Sequence, residues 1–158
     1  MAYLSGPRNS WVNGQRWRAV HDEATSLGLR ATFLGPFGPN RQGGREAADA
    51  FVLSRAGAAI AYNDLMALGA LRYLQASGVR LPEDRSLVGS DDIFGADLTV
   101  PALTTIGGPS DRLGRRAVDS VHESLTGQLT DLPSPTFETH LVVRDSTGPA
   151  RPEATPGN

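Results

Sequence analysis

Short apolar runs separated by longer amphipathic stretches set the plan of this chain, and the pattern is sharpest between residues 59 and 92. Residues 59–62 form an apolar run that stops at Asn63-Asp64, where a polar side chain can satisfy the orphan donors of a helix start. A helix is expected to begin near Asp64, with Asp64 as its cap. Leu65, Leu68, Leu71 and Leu74 then recur at helical spacing, and Ser77-Gly78 supplies a residue type suited to the left-handed turn that ends a helix. Leu81-Pro82 turns the chain into a second short strand, residues 86–90, which again ends in acids, Asp91-Asp92. Strand, helix and strand make the unit of a parallel sheet, whose C-terminal strand ends share one edge, and ligands bind outside that edge. Asn63 and Asp91 are therefore expected to be neighbours.

The alternation already runs from the first residues. Residues 2–6 read as a strand, 8–27 as mostly helix ending at Gly28, and 31–35 as another strand. A turn-rich loop, GPFGPNRQGG over residues 35–44, leads to a helix over 45–55 and then to the strand near 58–62. Beyond Asp92, PALTTI at residues 101–106 is a short extended piece before a long amphipathic helix, about 110–126, whose apolar stripe is Leu113, Ala117, Val121 and Leu125. A last strand over 138–144 precedes a tail, 148–158, rich in Pro, Gly and Thr and expected to be disordered. A strand already under way at Met1 needs a partner for its backbone groups, as though a preceding portion were missing.

Composition narrows the chemistry. With 158 residues, 39% hydrophobic and 20% charged, one globular unit with a core is expected. A net charge of −2 provides no basic face for nucleic acid. All 15 basic residues are arginine, and without lysine neither Schiff-base catalysis nor a Walker-type phosphate loop is available. The absence of cysteine removes disulfides, thiolate zinc sites and cysteine nucleophiles, a pattern compatible with a reducing cytoplasm. No stretch approaches the ~20 apolar residues that span a bilayer, so no membrane partner is expected. His21, His122 and His140 are dispersed without metal-site spacing, and neither a dinucleotide fingerprint nor a nucleophile elbow is present. Asp91 and Asp92, as adjacent strand residues, point to opposite faces and would not share one reacting bond. No cofactor, metal or catalytic set is expected.

Taken together, AYLSGP, the arginine in the helix after it, AYNDLMALGALRYLQASGVRLPEDRSLVGSDD, PALTTI and LVVRDST closely resemble the LacI/GalR family of bacterial transcriptional regulators, from about Ala2 to Thr147. The resemblance implies an α/β fold, the parallel-sheet three-layer sandwich of the periplasmic-binding-protein-like type I fold, and mainly its C-terminal lobe. Residues 1–147 would form the sensor, with about 107–130 belonging to the otherwise missing N-terminal lobe and with PALTTI and LVVRDST crossing between lobes. The helix-turn-helix headpiece, hinge helix and most of that lobe are absent. Expected partners are a sugar or nucleobase-like effector, a second copy docked along the Asp64 to Ser77 helix through Leu68, and operator DNA only through the missing headpiece. The expected compartment is the cytoplasm.

Five residues are candidates for the ligand site. Arg16 matches the family arginine that donates to effector oxygens, a role suited to a charged group with several fixed donors. Asn63 offers a donor and an acceptor to a hydroxyl pair, and Asp91 can accept from two adjacent hydroxyls; their plainer roles are a helix cap and a turn former. Phe37 could stack on the apolar face of a sugar or base, and Trp11 could wall the pocket, although tryptophan commonly serves as a packing anchor. Ser90 departs from the large aromatic usual before the acid pair, which widens the pocket or loosens its packing. Rival readings are a sugar-binding protein of a transport system, which shares the fold, a hydrolase or dehydrogenase fragment lacking nucleophile and cofactor loop, and a nonfunctional truncated remnant.

Overall fold

The computed structural model describes residues 1–127 and 136–150. Its strands are β1 (Ala2–Leu4), β2 (Thr32–Leu34), β3 (Ala58–Ala61), β4 (Ser86–Ser90), β5 (Thr104–Gly107) and β6 (His140–Val142). The helices are α1 (Trp11–Ser26), α2 (Arg41–Leu53), α3 (Asp64–Ala76) and α4 (Ser110–Leu125). They build a six-stranded sheet in the order β2-β1-β3-β4-β5-β6, parallel throughout except for β6, which runs antiparallel to β5.

Side-chain alternation splits the sheet into two faces. Ala2, Leu4, Ala59, Ala61 and Leu87 face α2 and α3 and share one buried cluster with Ala47, Ala48, Phe51, Met66, Ala70 and Leu74. Tyr3 points the other way, toward α1, where it meets Trp17 and Trp17 meets Phe33. The sequence expectation of an α/β parallel-sheet sandwich is met.

Several local expectations change. α2 begins at Arg41 and not at residue 45, because the Asn40 side chain accepts from the Gly43 backbone N–H at 3.0 Å and starts the helix inside the glycine-rich loop. Gly44 and Gly69 then serve packing: a Cβ on Gly44 would overlap the Met66 carbonyl, and one on Gly69 would overlap the Arg41 carbonyl. Close approach of α2 to α3 is thus written in these two glycines. The cap of α3 is Asn63, whose Oδ1 accepts from the Met66 N–H at 2.9 Å, and not Asp64. Leu65 of the expected leucine stripe is exposed, and the core face of α3 is carried by Met66, Ala67, Ala70, Leu71 and Leu74. Gly78, with φ +82°, follows the end of the helix as expected. The tail expectation concerns residues of which 151–158 lie outside the described ones.

α4 stands apart. Its sequence is amphipathic, yet none of its residues is buried, and Leu113, Val121 and Leu125 are exposed.

Candidate functional site

The C-terminal ends of β1, β3 and β4 bring together residues distant in sequence. Ser10 caps α1 by accepting from the Asn13 N–H at 3.1 Å, which sets the helix start and carries Arg16 to the edge of the sheet. There the Arg16 Nη2 donates to Asp91 Oδ1 at 2.8 Å, and its Nη1 donates to the Tyr62 carbonyl oxygen. The guanidinium also lies 5.3 Å from the Tyr62 ring centroid. Three independent contacts hold one arginine at the strand ends.

Asp91 follows β4 with φ +112° and Asp92 follows with φ +47°, both in the region that favours glycine. This turn aims the two acids differently: Asp91 toward Arg16, and Asp92 toward Arg144, whose Nη2 donates to Asp92 Oδ1 at 2.8 Å. The two acids do diverge, but not as adjacent strand residues: β4 ends at Ser90, and the turn after it sends them to separate partners. Strain at two successive non-glycine residues is held by surrounding bonds, including Asp91 N–H to the Ile106 carbonyl at 2.8 Å.

Arg16 and Asp91 border a cleft of about 420 Å³ that also contains Tyr3, Ile60, Ile106 and Leu113. Largely apolar walls, with Arg16, Asp91, Ser90, Ser110 and Thr139 as their polar members, suit a small hydroxylated ligand. Tyr3 is buried, and its hydroxyl donates to Asn13 Oδ1 at 3.0 Å, an atom that also accepts from the Gly6 N–H at 2.9 Å. Burial pushes the Tyr3 hydroxyl up to about 12, partly offset by the Arg16 charge, so it stays a neutral donor at physiological pH. Beneath the turn, fully buried Asp64 accepts from Thr105 Oγ1 at 2.6 Å and from the Ile93 N–H at 2.9 Å. Desolvation pushes its carboxyl above the ordinary range despite those bonds, and the charges of Asp91 and Asp92 push the same way.

Of the five candidates, Arg16 and Asp91 meet and line the cleft. Asn63 lies at the same edge, engaged as the α3 cap and donating from Nδ2 to the Pro39 carbonyl at 3.1 Å. Phe37 sits in the loop after β2, partly buried against the core cluster. Trp11 opens α1 with 74% of its surface exposed and does not border the cleft. Sequence reasoning passed over Tyr3, Asn13 and Tyr62, although a tyrosine between the buried Ala2 and Leu4 is the signal that the opposite face carries polar chemistry. Among the described residues no group of three or more His, Cys, Asp or Glu side chains could hold a metal, and no helix is long and apolar enough to cross a membrane.

The family profile of the periplasmic binding protein-like domain matches residues 1–147. The chain is 33% identical over 150 residues to the HTH-type transcriptional regulator CelR of Thermobifida fusca, covering 92% of this chain and 44% of that protein. It therefore spans less than half the length of that relative. Among solved structures, it is similar to a CelR–cellobiose complex, with TM-score 0.83, 29% identity, and coverage of 92% of this chain and 46% of the other. It is also similar to the lac repressor dimer bound to operator and an anti-inducer, with TM-score 0.83, 29% identity, and coverage of 92% and 51%. The fold, the matched profile and these regulators together show that the chain belongs to the periplasmic binding protein-like domain family, in the form carried by the sensor part of LacI-family transcriptional regulators.

Proposed function

We propose that this chain is the effector-sensing portion of a LacI-type transcriptional regulator, which binds a sugar or related small molecule and controls DNA binding by a headpiece outside the sequence. The observation that carries the reading is the Arg16–Asp91 pair at 2.8 Å on the rim of an apolar cleft. A vicinal hydroxyl pair can take the place of that contact, accepting from the guanidinium and donating to the carboxylate. Both charges keep partners while the ligand is held. The CelR–cellobiose complex supports a carbohydrate ligand class. Asn63 and Phe37 belong to the same edge and would meet a ligand that reaches beyond the cleft, and Trp11 would meet one from the first turn of α1. The protein acts by binding and not by turnover, in the cytoplasm.

Allosteric control follows if the ligand binds two arrangements of the sensor with different affinity. We assign residues 107–130, of which 107–127 are described, to a second lobe, supported by the absence of any buried residue in α4. Leu65, Leu68, Phe94 and Val100 border a groove along α3 that Arg41 and Arg72 flank, and Phe94 is 96% exposed, which supports homodimerisation through the apolar part of this face. Calorimetric titration with a panel beginning with cellobiose tests the site. One sugar class should bind the wild-type chain, and Arg16→Ala and Asp91→Ala should each weaken it at least tenfold with little change in melting. Unchanged affinity in both variants removes them from the pocket.

A further inference from the structure

We propose that the groove between the first half of α2 and the middle of α3 is a second ligand site, one that takes a phosphate-bearing small anion. Arg41, Arg45 and Arg72 border one cavity of about 350 Å³ together with Gln42 and Tyr73, no acidic residue borders it, and Arg41 and Arg72 also flank the neighbouring groove assigned above to a second copy. All three arginines are exposed and none forms an ion pair among the described residues, whereas Arg16, Arg80, Arg116 and Arg144 each hold a carboxylate. The cluster is a local feature, because the chain as a whole carries a net charge of −2.

The arrangement runs against helix stability. Arg41 and Arg45 are a like-charge pair four residues apart on one helix, a spacing that disfavours the helix, and Arg72 adds a third charge from across the groove. The fold nevertheless holds them together. Gly69 lets the α2 backbone approach α3 at Arg41, and the Arg45 guanidinium sits 5.3 Å from the Tyr73 ring centroid, which restricts its directions. Guanidinium groups offer paired donors matched to phosphate oxygens, and the Gln42 amide is already engaged, its Nε2 donating to Glu46 Oε1 at 3.2 Å, so the anion rests on the three arginines. An anion in the groove offsets the mutual repulsion of the three guanidinium groups. The site is also mechanically close to the effector edge: Arg41 follows the Asn40 cap, and the adjacent Pro39 carbonyl accepts from Asn63.

The test is titration of the full chain with pyrophosphate in chloride buffer at constant ionic strength. The wild type should show one saturable site, weakened at least tenfold in Arg45→Gln/Arg72→Gln and unchanged in Arg115→Gln on α4. Circular dichroism melts of the variants verify folding, and Arg72→Glu alone should abolish binding if the double variant is unstable. Absence of saturable binding, or equal affinity in the double variant, overturns the proposal. So does loss of binding in Arg16→Ala alone, which moves the anion to the cleft. Sedimentation completes the set: a shifted monomer–dimer balance in the double variant with intact pyrophosphate binding assigns these arginines to contact between copies and overturns the anion site.

Discussion

The α2–α3 side of the sheet and α4 are built from similar amphipathic sequence, yet the structure treats them oppositely. α2 buries Ala47, Ala48 and Phe51, α3 buries Met66, Ala70, Leu71 and Leu74, and two glycines bring the helices close enough to interlock. α4 has Leu113, Val118, Val121 and Leu125 exposed and is braced by contacts such as Arg116 to Glu123 at 3.0 Å. Periodicity therefore declares that a face wants a partner without saying that the partner is present. The first region is a finished core; the second is a surface that asks for one.

Substitutions separate the two. The largest loss is expected from Gly44→Val, where the new side chain collides with the Met66 backbone; overpacking of this kind should cost about 3 kcal/mol or more, read by chemical denaturation. Leu74→Ala, fully buried on α3, should cost about 2–5 kcal/mol by the same measurement. Next comes Asp64→Asn, which trades one of two carboxylate acceptors for a donor and should cost about 1–3 kcal/mol. Its effect carries a pH signature. A carboxyl raised in the folded state contributes stability that is fully present below its unfolded pKa and lost as pH rises through the folded one. The wild type thus gains on the non-titrating variant as pH falls, and the deficit of Asp64→Asn should be larger at acid pH than at neutral pH. The smallest effect belongs to α4: Leu125→Ser, at a side chain 82% exposed, should change stability by less than about 0.5 kcal/mol. A loss there as large as that of Leu74→Ala would show that α4 is already packed and would erase the contrast.

How far the sequence could be read follows the same division. The strand-helix-strand order around β3, α3 and β4 was legible because the apolar period switches cleanly at Asn63 and at Ser86. The start of α2 was not, since glycine in the GPFGPNRQGG loop reads as turn chemistry when its use is a backbone approach made only in three dimensions. Asp64 failed for a related reason: at a helix start an acid looks like a cap, and its burial under the Asp91-Asp92 turn depends on Thr105, 41 residues away. Arg16 was named from resemblance and Asp91 from the acid pair that ends a strand, and their meeting spans 75 positions that no local pattern encodes. Tyr62 and Asn13, which hold Arg16 and Tyr3 in place, act through the packed edge and carry no motif of their own.

The most direct measurement is a thermal melt of the purified chain with and without cellobiose and related sugars, run beside Arg16→Ala/Asp91→Ala. A sugar at about 100 times its dissociation constant should add ~2.7 kcal/mol to the wild type, raising its midpoint, and should leave the double variant where it was. An equal rise in both proteins would contradict a ligand site built on the Arg16–Asp91 pair.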